Sequence, residues 1–243
     1  MESHLMATPS EVSQRIKQNV ERIEERIRAA CLAAGRKREE ITVVAITKYV
    51  DIATTRLLAE LHHGPLGESR PQTIWEKQPS LPEAAWHLVG HLQRNKVART
   101  LPLVQLIHSV DSERLLNAIE MEAAKTNRVQ EVLLELHLTH ETSKSGFAED
   151  EWERLPEYAA TLKHMKITGL MGMAAMEGTV DDARATFARL RDLRDRWSSS
   201  FSQPHQLMHL SMGMTHDFEQ AVLEGATLLR IGSAFFEGVA EGR

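Results

Sequence analysis

Two short stretches join apolar strands to small residues in the way an anion site requires. They are His209-Leu210-Ser211-Met212-Gly213-Met214-Thr215 and Leu229-Arg230-Ile231-Gly232-Ser233-Ala234-Phe235. Each reads as a strand running into a turn that opens a helix, with Ser211 and Gly213 in the first turn and Gly232 and Ser233 in the second. Small residues let an anion approach the backbone, and the start of a helix directs unpaired N–H groups and positive dipole at it. Two such turns side by side suit one phosphate group. Lys48 adds an amine at the end of the β-branched run at residues 41–47. Beside a phosphate it is either a plain charge partner or the nucleophile of a Schiff base, because burial near other cations makes an amine easier to deprotonate.

These groups need a scaffold, and the chain alternates strand with helix throughout. Thr8-Pro9-Ser10-Glu11 forms a capping box, and Val12, Ile16, Ile23, Ile27 and Cys31 make an apolar stripe that stops at Gly35. Strands are then expected at residues 41–47, 64–67, 86–90, 105–110, 131–138 (the longest), 167–171, 206–210 and 227–231. Helices are expected after Asp51, over 72–78, over 91–99, after Ser112, over 149–162, after Thr179 and over 215–223, with a polar loop at 139–146. The stripe after Thr179 carries Val180, Ala183, Phe187, Leu190 and Trp197. Strand–helix repetition implies parallel pairing with right-handed crossovers. Eight repeats without a linker predict a (β/α)8 TIM barrel with an extra N-terminal helix. Residues 8–243 would be one domain, and Met1 to Ala7 a disordered or tag-like start. An open doubly wound sheet competes, but no Gly-x-Gly-x-x-Gly follows the first strand. In a barrel the active groups lie at the C-terminal strand ends, with phosphate near the last two. Lys48, Met171, Ser211 and the Arg230–Ser233 stretch would then share one mouth.

The totals exclude several classes. The 243 residues carry a net charge of −5 with no basic stripe, which argues against nucleic acid. Cys31 is the single cysteine, so disulfides and cysteine metal sites are excluded. No long apolar run suggests a membrane span or a signal peptide, and a cytoplasmic protein is the expectation. The 12 histidines include His87/His91, His137/His140 and His205/His209, the last pair expected on one face of a strand. None gathers a ligand set with supporting carboxylates, so no metal is expected. Of the methionines, Met171 and Met212 are placed to contact a flat ring, and Met173, Met176 and Met214 to fill gaps.

Seven stretches carry a resemblance that covers most of the chain. They are Val44–Lys48, Trp86–Lys96, Ile107–Ser112, Ser143-Lys144-Ser145-Gly146, Gly169-Leu170-Met171, Leu210–Met214 and Glu224–Phe236. Together they resemble the pyridoxal-phosphate homeostasis protein family, which is similar to the alanine racemase N-terminal barrel standing alone. The resemblance implies that Lys48 holds pyridoxal 5′-phosphate (PLP) as a Schiff base. It implies that Ser211, Gly232 and Ser233 bind the phosphate and that Arg230 faces the pyridine nitrogen. Ser69, His87, Met171 and Met212 complete the expected cofactor-binding set. A cation opposite that nitrogen disfavours its protonation and weakens the ring as an electron sink. The family accordingly stores, delivers or buffers PLP, with apo PLP-dependent enzymes as recipients and a monomer or weak dimer as the working form. The resemblance implies a barrel without the racemases' second domain. A weak amino-acid racemase is the alternative, and lysine imine chemistry on a phosphorylated metabolite is a third reading. The family usually reads Gly-Glu-Asn where this chain has Gly67-Glu68-Ser69, which replaces an amide beside the cofactor with one hydroxyl. Pro71, Tyr49 and His137 depart from the family pattern too.

Overall fold

A computed structural model describes residues 8–139, 145–175 and 177–239. The expected ragged start, His140, Met176 and the Ser143-Lys144 half of one family motif lie outside the described residues. Eight parallel strands close into a barrel: β1 (Thr42–Ile46), β2 (Leu66–Glu68), β3 (Trp86–Leu88), β4 (Leu106–Val110), β5 (Gln130–Glu135), β6 (Met165–Met171), β7 (His209–Ser211) and β8 (Leu228–Ile231). Closure comes from β1 against β8, with Val43 opposite Leu229 and Val44 opposite Arg230. The turn carrying Lys48 after β1 and Arg230 on β8 therefore belong to neighbouring strands, as a barrel demands.

The helices are α1 (Pro9–Ala33), α2 (Ile52–His62), α3 (Pro71–Lys77), α4 (Val97–Thr100), α5 (Glu113–Lys125), α6 (Leu155–Ala159), α7 (Val180–Trp197) and α8 (Phe218–Leu223). Helices α2 to α8 follow β1 to β7 in turn. Among the described residues, β8 is followed by a 3-10 turn, Ser233–Phe236, and no further helix. The extra helix α1 supplies the missing outer cover. Its buried Asn19 donates Nδ2 to Phe235 O (2.9 Å) and Glu237 O (3.0 Å), and Arg26 pairs with Glu219 of α8. Ile16, Ile23 and Ile27 face inward.

Several boundaries differ from expectation. The longest strand is β6, since β5 ends at Glu135. The stretch expected as one helix at 149–162 is a 3-10 segment followed by α6, where Pro156 sits in the first turn and cannot extend a helix backwards. The 91–99 helix reduces to a 3-10 turn and α4, and α8 opens three residues later than expected. Val180 is 53% exposed because it lies in the first turn of α7, off the inner stripe. In β7 the ladder starts only at His209, because Gln206 N and Met208 N donate to Ile167 O and Thr168 O before the strand becomes regular.

Apolar burial divides in two. One large cluster lies between the strands and the outer helices. A small one, Leu106, Leu133, Met171 and Leu228 with Met173 against it, belongs to strand faces that alternate with the outer cluster. Buried His87, His108, Ser211 and Arg230 sit at strand positions beside this second cluster, so much of the barrel interior is polar.

Candidate functional site

A cavity of about 610 Å³ opens at the C-terminal ends of the strands. Lys48, Ser69, Met171, Arg230, Gly232 and Ser233 line it. Six of the nine residues expected from sequence are thus brought together, while His87, Ser211 and Met212 are not in the lining.

Lys48 stands two residues beyond β1 in a turn. Thr47 O accepts from Val50 N (3.2 Å), which leaves Lys48 and Tyr49 at the two central positions. The lysine is exposed, and its Nζ lies 4.6 Å from the centre of the Tyr49 ring. The burial invoked above for easier deprotonation is therefore absent; the cation–ring contact is what flanks the amine.

Arg230 is buried at the foot of the cavity. Its Nη1 donates to Ser211 Oγ (2.8 Å) and its Nη2 to Gly172 O (3.1 Å). Burial pushes its pKa down to about 10, against the pull of the Glu135 and Asp217 charges, so it stays a cation at neutral pH. Ser211 Oγ also lies 2.7 Å from His108 Nδ1, and His108 Nε2 lies 3.0 Å from His87 Nδ1. Neutral imidazoles carry one donor and one acceptor, so serine and both histidines form a continuous chain behind the guanidinium. Burial holds His108 well below the usual imidazole range, helped by the His87 and Arg230 charges. Burial brings His87 down to about 4, with a smaller push from His209.

These contacts correct three expectations. The Ser211 side chain is bonded into the barrel interior rather than offered to a phosphate. Met212 follows it on the opposite face and packs in the outer core, because successive strand residues point to opposite sides. Met173 and Met214 line the cavity in its place. His87 is a bonded interior histidine rather than a cavity group.

The anion cradle also differs from two helix starts. Asp217 Oδ1 accepts from Met214 N (2.5 Å), which occupies that amide, and α8 opens only beyond it. What remains is Gly232, Ser233 and Thr215 at the mouth, with Ser233 Oγ donating to Thr215 Oγ1 (3.2 Å). Gly213 has φ +87°, and a Cβ there would lie 2.5 Å from Ala221 Cβ, so glycine is required.

Among the described residues no group of three or more His, Cys, Asp or Glu side chains gathers as a metal site. His205 and His209 do not share a strand face. His205 is buried and takes Ile167 N on Nδ1 (3.2 Å), while His209 Nδ1 lies 3.3 Å from Thr227 Oγ1. Among the described residues no helix is long and apolar enough to cross a membrane.

Two buried groups were not singled out from sequence, Lys77 and His108. Lys77 Nζ donates to Glu68 Oε1 and to Thr47 O, both at 2.7 Å. The available signals were polar residues inside apolar strands: Glu68 after Leu66-Gly67, and His108 after Leu106-Ile107. A buried carboxylate calls for a cation, but no rule of spacing names which one.

A closed parallel barrel with an amine turn, a buried arginine and a hydroxyl-lined glycine turn at one mouth defines a class of barrel, and comparison identifies it. The model of the family described as "Alanine racemase, N-terminal domain" matches residues 13–239. The pyridoxal phosphate homeostasis protein of Aquifex aeolicus is 37% identical over 221 residues, 90% of this chain and 96% of that protein. A solved protein of Bifidobacterium adolescentis is 32% identical with a TM-score of 0.87, over 96% of this chain and 98% of the other. PipY of Synechococcus elongatus, solved with PLP bound, is 30% identical with a TM-score of 0.74, over 88% and 99%. The chain belongs to the alanine racemase N-terminal domain family and, within it, to the pyridoxal phosphate homeostasis proteins.

Proposed function

We propose that this protein serves PLP homeostasis by holding PLP at the barrel mouth through Lys48. One observation carries the reading: Lys48, Arg230, Gly232 and Ser233 line a single cavity whose volume suits a small ligand. The residues present fit the group. Ser233 and Thr215 hydroxyls lie together beside Gly232, where a Cβ would come within 3.3 Å of Ile46 Cβ and crowd the cradle. When bound, PLP supplies an aldehyde that condenses with a primary amine, with loss of one water, and a pyridine ring that draws electrons. Lys48 supplies the amine. Ser233 and Thr215 would donate to the phosphate, with Gly232 leaving room for it. Met171 and Met173 offer thioether faces to a flat ring. Arg230 would present its cation to the ring nitrogen, and Ser211 with Gly172 O fixes its plane.

The placement of the tyrosines favours holding over turnover. A racemase requires a second acid or base opposite Lys48. Tyr49 lies on the lysine's own turn, and Tyr158 is on α6 with its hydroxyl donating to Glu113 O (3.4 Å). Neither of the chain's two tyrosines faces Lys48 across the mouth. The protein would store PLP and release it to apo enzymes in the cytoplasm.

Mixing protein with PLP should produce a visible band that borohydride reduces onto the Lys48 peptide. Lys48→Ala should lose the band; a reducible band retained on another lysine overturns the assignment. Amino-acid racemisation should stay far below metabolic rates, and rapid turnover would refute the carrier role.

A further inference from the structure

Lys48 is exposed on a turn, and its flexible four-carbon stem swings about a pivot that the backbone sets. That backbone is held from below. Thr47 is fully buried; its Oγ1 donates to Glu68 Oε1 (2.6 Å) and its carbonyl accepts from Lys77 Nζ (2.7 Å). The same ammonium donates to Glu68 Oε1 (2.7 Å). Thr47 O is also the acceptor that closes the turn through Val50 N. Glu68 and Lys77 are 0% and 4% exposed. One Glu68 oxygen, Oε2, is buried with no hydrogen-bond partner, so the pair is incompletely satisfied. A buried pair of this kind is a poor source of stability, because desolvation offsets the attraction. Its geometry does something else: it ties the residue before Lys48 to β2 and to the last residue of α3. Ser69, next to Glu68, lines the cavity on the other side.

We infer that Glu68 and Lys77 are positioning residues that set the Thr47–Val50 turn and thereby aim Lys48 Nζ into the cavity. The inference rests on Lys48 being the amine that holds PLP.

The test compares the wild-type protein with Glu68→Met/Lys77→Met, which removes both charges together and leaves no unpaired ion, and with Thr47→Val, which deletes only the hydroxyl. The first measurement is hydrogen exchange of the Val50 amide without PLP. The second is the rate at which added PLP forms the borohydride-reducible band on Lys48. The double variant should exchange Val50 faster and form the band about tenfold to a hundredfold more slowly, as for a reacting group misplaced by about 1 Å. Thr47→Val should show a smaller loss of the same sign. A role confined to stability would lower the melting temperature of both variants but leave the Val50 protection relative to neighbouring amides, and the rate, unchanged; that result overturns the inference. If the double variant does not fold, Thr47→Val decides alone, and wild-type values in it overturn the inference. If the wild-type protein gives no reducible band on Lys48, the cofactor assignment fails, while Val50 exchange still reports whether the clamp holds the turn.

Discussion

Two buried polar clusters back the cavity, one behind Lys48 and one behind Arg230, and they handle charge in opposite ways. Behind Lys48, a cation and an anion are in direct contact, and their charges are spent on each other and on Thr47. Behind Arg230 the cation touches a serine hydroxyl and a carbonyl, two histidines kept neutral by burial come next, and the charges of Glu135 and Asp217 act on it without a hydrogen bond among the described residues. The first arrangement fixes a backbone; the second leaves a positive charge available to whatever fills the mouth. Pairing suits geometry, and a cation whose direct partners are uncharged suits electrostatics.

The comparison breaks most readily at the ion pair. Lys77→Met alone leaves Glu68 buried and uncompensated, and should destabilise the fold by about 3–5 kcal/mol in denaturant titrations. Glu68→Met/Lys77→Met should recover most of that loss. Equal losses in the two variants would mean that the charges are not coupled.

Acidification tests the neutral cluster next. The unfolded chain protonates a histidine near its ordinary value of 6.5, whereas folded His87 does so only near 4. Between those values the unfolded state binds more protons, so stability falls as pH drops through this window and is complete above it. The loss should reach about 3 kcal/mol for a group shifted this far. His87→Gln should make the profile shallower between pH 6.5 and 4, with His108 and the other depressed histidines still contributing, and an unchanged profile would show that the imidazole is not shielded.

A smaller effect is expected from Ser211→Ala, which deprives Arg230 Nη1 and His108 Nδ1 of their shared partner. Stability should drop by about 1–3 kcal/mol, and the PLP band should shift if Arg230 loses its plane. Lys48→Ala should change stability by less than about 0.5 kcal/mol, because the side chain is exposed and holds nothing in place. A large loss there would contradict the division between supporting clusters and the amine they serve.

Legibility followed the kind of force involved. The first strand stands out in the chain because a β-branched apolar run, Val43–Ile46, buries on both faces, whereas Leu66–Glu68 and His209–Ser211 are short and legible mainly from their place in the alternation. Boundaries were weaker where side-chain bonds end an element, as at Met214–Asp217 before α8. Met171 could be placed at the mouth from its position at the end of β6. Met212 could not, because one residue of strand phase reverses the face it shows.

The order of residues by itself determined the barrel, its extra helix and the gathering of Lys48, Arg230, Gly232 and Ser233 at one end, since periodicity and strand order are written locally. Only the tertiary structure decided that α1 holds the turn after β8, that Ser211 turns inward to hold Arg230, and that Lys77 reaches from α3 to Thr47. Those are contacts between distant segments, set by where buried polar groups find partners once the chain is closed.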